Sequence, residues 1–189
     1  MYKHQKQTID KYKHQPAYRI FIASLIVVFS LSVCAAAKKV VLGQQPGPAR
    51  TDSGATKPSV SGTRVIPQAV TASNRVAGNE AELATDGDLS TIWNSGDFAP
   101  QWIQFDLGEP TAVSEVLLSV AQMPEGPTIH KIYGGPAPDN LKLLGTLNGN
   151  TQSGQWLVLK VTAKDVRYLK VATTKSPSWV SWHEIEVYK

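Results

Sequence analysis

Asp86, Gly87, Asp88 and Thr91 crowd two carboxylates, a hydroxyl and a turn-forming glycine into six residues, and Trp93 follows two positions later. A hard cation asks for this: oxygens converging from a tight loop, with a bulky side chain pinning that loop to a core. A further carboxylate, Glu184, opens Glu184–Val187, where apolar and polar residues alternate as in a half-buried strand. If the fold sets loop beside strand, Glu184 completes an oxygen cage. Read alone, Asp86-Gly87-Asp88 is also the pattern of a solvated turn.

A second group of residues suits recognition. Ser178–Trp182 carries Trp179 and Trp182 beside the final strand. Trp179, among serine and proline, reads as an exposed stacking residue. Trp182, Trp93 and Trp102 read as packed, and Trp156 as core. Polar candidates for ligand contact are Asn94, Asp97, Arg75 and His130. Each is also compatible with an ordinary surface or strand position. Catalysis finds little support. His130 and His183 are the only histidines after residue 67. Neither joins a nucleophile and base at a recognisable spacing, zinc spacings are absent, and the acids are better used on an ion.

The elements that must position these groups are strands. Gln101–Leu107 alternates, with Ile103, Phe105 and Leu107 on one face, and Gly108-Glu109-Pro110 reads as its end. Further strands are expected at Ala112–Val120, His130–Tyr133, Leu141–Leu147, Gln155–Val161, Tyr168–Thr174 and Glu184–Val187. Turn punctuation falls at Pro124–Pro127, Gly134–Pro136, Asn148-Gly149 and Ser176–Ser178. Short strands with such turns predict an all-β sandwich or barrel over residues 68–189.

Upstream the texture differs. Residues 1–67 carry ten Lys/Arg against two Asp/Glu, whereas residues 68–189 carry nine against thirteen. The folded part is therefore acidic, which disfavours phosphate backbones and anionic lipid. A basic flank to Arg19 precedes Ile20–Ala37, 18 residues without a charge. This is the pattern of export or anchoring. Three readings stand: a signal peptide cleaved after Ala37, a retained hydrophobic helix, or a lipidated Cys34, although Val33 departs from the usual lipoprotein box. Cys34 is the only cysteine, so the domain has no disulfide. Residues 38–67, rich in Pro, Gly, Ser and Thr, read as a disordered linker, which as a free coil would span roughly 30 Å.

The run Ala84–Trp93, then Pro100–Gly108, then Val166–Val171, then Trp182–Tyr188 resembles an F5/8 type C (discoidin-like) domain, and especially the family 32 carbohydrate-binding modules. The resemblance extends from about Ala69 to Tyr188. It implies a galactose-binding-like jelly roll of about eight antiparallel strands. It implies a structural calcium ion, Ca²⁺, held by Asp86, Asp88, Thr91 and Glu184, with backbone oxygens from Leu83 and His183. It also implies a glycan or glycoprotein partner docked at the loop end against Trp179. Galactose-binding members add an Arg and an Asn near the middle loop, but Ala121–Pro127 holds neither, so the sugar stays unassigned. The expectation is a non-catalytic, monomeric recognition module at the cell surface or secreted, without nucleic-acid binding. Its alternative is a protein- or matrix-adhesion module that uses the same loops.

Overall fold

The computed structural model describes residues 56–189. The expected leader, anchor or lipid site at 1–37, and most of the expected linker, lie outside the described residues. The strands are β1 (Arg64–Val65), β2 (Ala69–Ala72), β3 (Trp93–Asn94), β4 (Gln101–Val120), β5 (Gly126–Ala137), β6 (Asn140–Thr151), β7 (Trp156–Lys175) and β8 (Ser181–Tyr188), with a 3-10 helix at Ala81–Ala84. All pairings are antiparallel. The sheet order is β1-β8-β4-β7-β5-β6, with β2 added to β4 and β3 to β8. The architecture is the all-β jelly roll that the sequence led us to expect. Among the described residues, no helix is long and apolar enough to cross a membrane.

The alternation in Gln101–Leu107 works as expected: Ile103, Phe105 and Leu107 are all buried. They join Trp93, Trp182, Leu118, Leu169 and Ile185 in the main core. Burying each such side chain is worth about 1.5–3 kcal/mol. Gly108–Pro110 does not end the strand, however. β4 runs on to Val120, and its register against β7 slips between Asp106 and Thr111 and twice more before Glu115. Such bulges bend a strand rather than terminate it. Likewise Gln155–Val161 and Tyr168–Thr174 fuse into β7, while Gly134–Pro136 and Asn148-Gly149 lie within β5 and β6. Gly135 is needed for closeness, not for turning: a Cβ there would lie 2.0 Å from the carbonyl oxygen of Asn140.

The folded body also begins before residue 68. Val60 packs on a second cluster of Leu117, Trp156 and Tyr188. Lys57 Nζ pairs with Glu186 at 2.7 Å and lies 5.8 Å from the Trp156 ring centre. Thr63 and Lys189 exchange two backbone hydrogen bonds of 3.0 and 3.1 Å. These few residues could not form a core of their own. They serve instead as a cover for one already made by β4, β7 and β8. Trp102 departs from expectation too. It is half-buried, and Lys170 Nζ sits 4.2 Å from its ring centre.

Candidate functional site

Two neighbouring features occupy the end of the sandwich where β3 meets β8. The first is the acidic loop. The 3-10 helix delivers the Leu83 carbonyl, and the fully buried Trp93 anchors the loop's far end by donating from Nε1 to the Asn74 carbonyl at 3.1 Å. Asp86 Oδ1 accepts from the Asp88 amide at 2.8 Å. Gly87 takes the left-handed φ of 85°, and its amide donates to Glu184 Oε2 at 3.1 Å. Loop and final strand, 97 positions apart, are therefore in direct contact.

The oxygens around Thr91 are in surplus. Its Oγ1 lies 2.9 Å from Asp86 Oδ2, 2.9 Å from the Asp88 carbonyl and 3.4 Å from the Leu83 carbonyl. A hydroxyl has one proton and can serve only one of these acceptors. The Asp88 carbonyl also accepts from the Thr91 amide at 3.2 Å, so the oxygens that a hard cation would relieve are Asp86 Oδ2 and the Leu83 carbonyl, an oxygen-only donor set of the kind that fits calcium. The Asp88 carbonyl, rather than its carboxylate, faces this knot. The carboxylate is turned onto the Ser90 amide and hydroxyl at 2.8 and 2.7 Å, which hold it below the usual carboxylate range. Among the described residues, no three His, Cys, Asp or Glu side chains gather as metal ligands; the convergence comes from one carboxylate, two carbonyls and a hydroxyl.

Glu184 is 1% exposed. One oxygen receives the Gly87 amide, and the other pairs with Arg64 Nη2, which also donates to the Thr85 carbonyl at 3.1 Å. Arg64 Nη1 reaches Glu186 at 3.4 Å. Burial pushes the Glu184 carboxyl up to about 7, against the opposing pull of Arg64 and the Gly87 amide. A guanidinium thus stands between two buried glutamates at the edge of the loop. Sequence reasoning missed it, because Arg64 sat in the presumed linker.

The second feature is a hollow of about 500 Å³ beside the loop. Trp179 stands at its rim, 48% exposed, together with Phe98 at 55% and Met123 at 85%. Asn94 and Ser181, paired across β3 and β8, contribute polar groups. Gln122 pins the Met123-Pro124 loop from below, donating to the Thr151 carbonyl at 3.0 Å and accepting from Thr151 Oγ1 at 2.8 Å. Among the described residues, no Lys, Arg, Asp or Glu lines the hollow. The His183 ring lines it as well, with Nδ1 3.4 Å from the Thr91 carbonyl. It touches the loop and lines the hollow, as Ile92 of the loop itself also does.

The other sequence candidates scatter. Asp97 is exposed and turns its Oδ1 onto the Phe98 amide at 2.7 Å. Arg75 pairs with Glu80 and does not line the hollow. His130 is a correction: it is 3% exposed, hydrogen-bonded to Thr173 Oγ1 at 2.9 Å and edge-on to Trp182. Burial pushes its pKa down to about 4. It is a neutral core residue and does not line the hollow. Phe98 and Met123 were missed, and the only signal for either was an apolar side chain stranded among Gly, Asp, Ala and Pro.

The described residues thus form a jelly roll with an oxygen-rich loop beside an aromatic-rimmed hollow. The family model described as F5/8 type C domain matches residues 68–185, and this chain belongs to that family. Among solved structures, the family 32 carbohydrate-binding module of AlyQ, in complex with 4,5-unsaturated mannuronic acid, is 27% identical with a TM-score of 0.60, covering 67% of this chain and 98% of that one. Chitosan-binding module 1 from the chitosanase/glucanase of Paenibacillus sp. IK-5 is 29% identical with a TM-score of 0.58, covering 66% and 97%. A family 89 glycoside hydrolase from Clostridium perfringens is 25% identical with a TM-score of 0.58, covering 67% of this chain but 14% of that one. A search of curated proteins found no match.

Proposed function

We propose that this chain is a non-catalytic carbohydrate-binding module whose loop-end hollow takes an uncharged sugar. The observation that carries the reading is Trp179: a large aromatic face held half in water at the rim of a hollow without charged lining. A pyranose presents an apolar face and a ring of hydroxyls, and such a hollow answers both. Trp179 and Phe98 offer apolar surface, while Asn94, Ser181 and His183 offer donors and acceptors. The similar modules bound to 4,5-unsaturated mannuronic acid or named for chitosan support carbohydrate as the ligand; both of those sugars carry charge, and the choice of an uncharged one rests on the lining of this hollow. The test is retention of the full chain on a panel of insoluble polysaccharides, with and without calcium. Retention on at least one uncharged polysaccharide, competed off by its soluble oligosaccharide, is the expected result. No retention on any of them, alongside capture of a protein partner through the same loops, replaces this reading with adhesion.

Calcium belongs to the same proposal. Asp86, Thr91 and the carbonyls of Leu83 and Asp88 would hold it, with Glu184 and His183 alongside. Bound there, the ion supplies positive charge that ties the loop to β8. An ion that binds only the folded state stabilises it by about 2.7 kcal/mol at a hundredfold excess over its Kd, a rise of roughly 10 °C in Tm for a domain of this size. Melting curves in calcium and in excess chelator check this; superimposable curves remove the ion from the account.

Residues 1–37 complete the reading as an export or anchoring segment, which puts the module at the cell surface or outside the cell. Intact mass of the mature protein separates cleavage after Ala37, retention and lipidation at Cys34. Recovery of the uncleaved, unlipidated chain in the soluble cytoplasmic fraction would end the export reading.

A further inference from the structure

A second hollow, of about 350 Å³, lies on the outer face of the sheet and shares no lining residue with the first. The pleat builds it. Ile103, Val171, Leu169 and Ile132 point inward and are buried, so their neighbours Trp102, Ala172, Lys170 and Tyr133 point outward. Strand register sets Trp102 beside Ala172 and Tyr133 beside Lys170. Ala172 offers only a methyl, and the surface sinks there between two aromatic side chains. Asp139, at the turn between β5 and β6, stands at the rim.

The groove's chemistry is balanced. It holds one ammonium, Lys170, and one carboxylate, Asp139. Among the described residues, neither has an ion-pair partner. The Lys170 ammonium is steered by the Trp102 ring, 4.2 Å away. A net anion would meet the carboxylate, and a net cation the ammonium. An uncharged ring bearing hydroxyls meets neither penalty, since Asp139 accepts from hydroxyls and Lys170 donates to them. The apolar faces of the same ring find Trp102 and Tyr133.

We infer that this groove, between Trp102, Tyr133, Lys170 and Asp139, is a second carbohydrate site that takes one uncharged pyranose unit, independent of the loop-end hollow. Two weak sites on one module bind a polymer more tightly than either alone, provided that the glycan can reach both.

The test uses the full chain labelled with 5-fluorotryptophan. Its five tryptophans give separate fluorine resonances, each assigned by a Trp→Phe substitution. The probes are the methyl glycosides of glucose, galactose, mannose, N-acetylglucosamine and N-acetylgalactosamine, each titrated to saturation. At least one should move the Trp102 resonance along a saturating curve, and the response should persist in Trp179→Ala. Lys170→Ala and Asp139→Ala should each weaken that curve about tenfold, the worth of one charged hydrogen bond, with the Trp179 curve unchanged. Unmoved Trp93 and Trp182 resonances certify that these variants are folded. Persistence of the Trp102 response in a protein whose Trp179 never responds supports the groove and refutes the loop-end site. A Trp102 resonance that no glycoside moves overturns the proposal, as does a response lost in Trp179→Ala, because the groove would then only be sensing the loop.

Discussion

Replacing Arg64 with methionine is expected to cost about 3–5 kcal/mol of folding stability, the usual penalty for removing one partner of a buried ion pair. Glu184 and Glu186 are 1% and 4% exposed, and Arg64 touches both. Glu186 would keep Lys57 and the Tyr188 hydroxyl, at 2.7 Å each. Glu184 would keep only the Gly87 amide. The loss should therefore fall mainly on Glu184, and Glu184→Gln in the same background should restore part of it, because a neutral amide can still accept from Gly87 without a buried charge. Urea unfolding of wild type, both single variants and the double variant measures this coupling. Chelator must be present, so that no cation stands in for the guanidinium. A methionine variant within about 0.5 kcal/mol of wild type would place Arg64 among ordinary surface residues.

Trp179→Ala is expected to weaken glycan binding at the loop end by about thirtyfold or more, corresponding to the 2 kcal/mol or greater cost of truncating a central aromatic contact. The fold should lose little, since the side chain is 48% exposed and makes no hydrogen bond that the structure records. The two readouts must be taken together. Affinity electrophoresis in the best-retained polysaccharide gives the binding, and a melting curve gives the stability. A variant that melts with wild type and migrates as slowly would acquit Trp179. Phe98→Ala should show a smaller effect of the same kind, because Phe98 lines the same hollow without standing in the Ser178–Trp182 segment.

Much of the fold was legible because its signals are local. The alternation around Ile103, Phe105 and Leu107 decides which way each side chain faces whatever strand lies next door. Gly87 between two acids marks a loop by the same local logic. What misled was glycine, whose freedom serves two purposes. Gly134-Gly135 and Asn148-Gly149 read as turns, yet they lie inside strands, Gly135 because the neighbouring backbone passes too close for a side chain. Trp102 misled differently. Its alternation correctly opposes it to Ile103, but a tryptophan is so often core that its outward face went unread.

By itself, the sequence determined the strand periodicity, the acidic loop, the exposed setting of Trp179 and the resemblance of four ordered motifs to one family. These depend on residues within a few positions of one another. The tertiary structure alone decided that Arg64 enters the gap between Glu184 and Glu186, that His130 goes inside, and that Ala172 opens a groove between Trp102 and Tyr133. Arg64 and Glu184 are 120 positions apart. No local pattern encodes such a meeting, because it is set by which strands pair and in what register, and register is a property of the whole sheet.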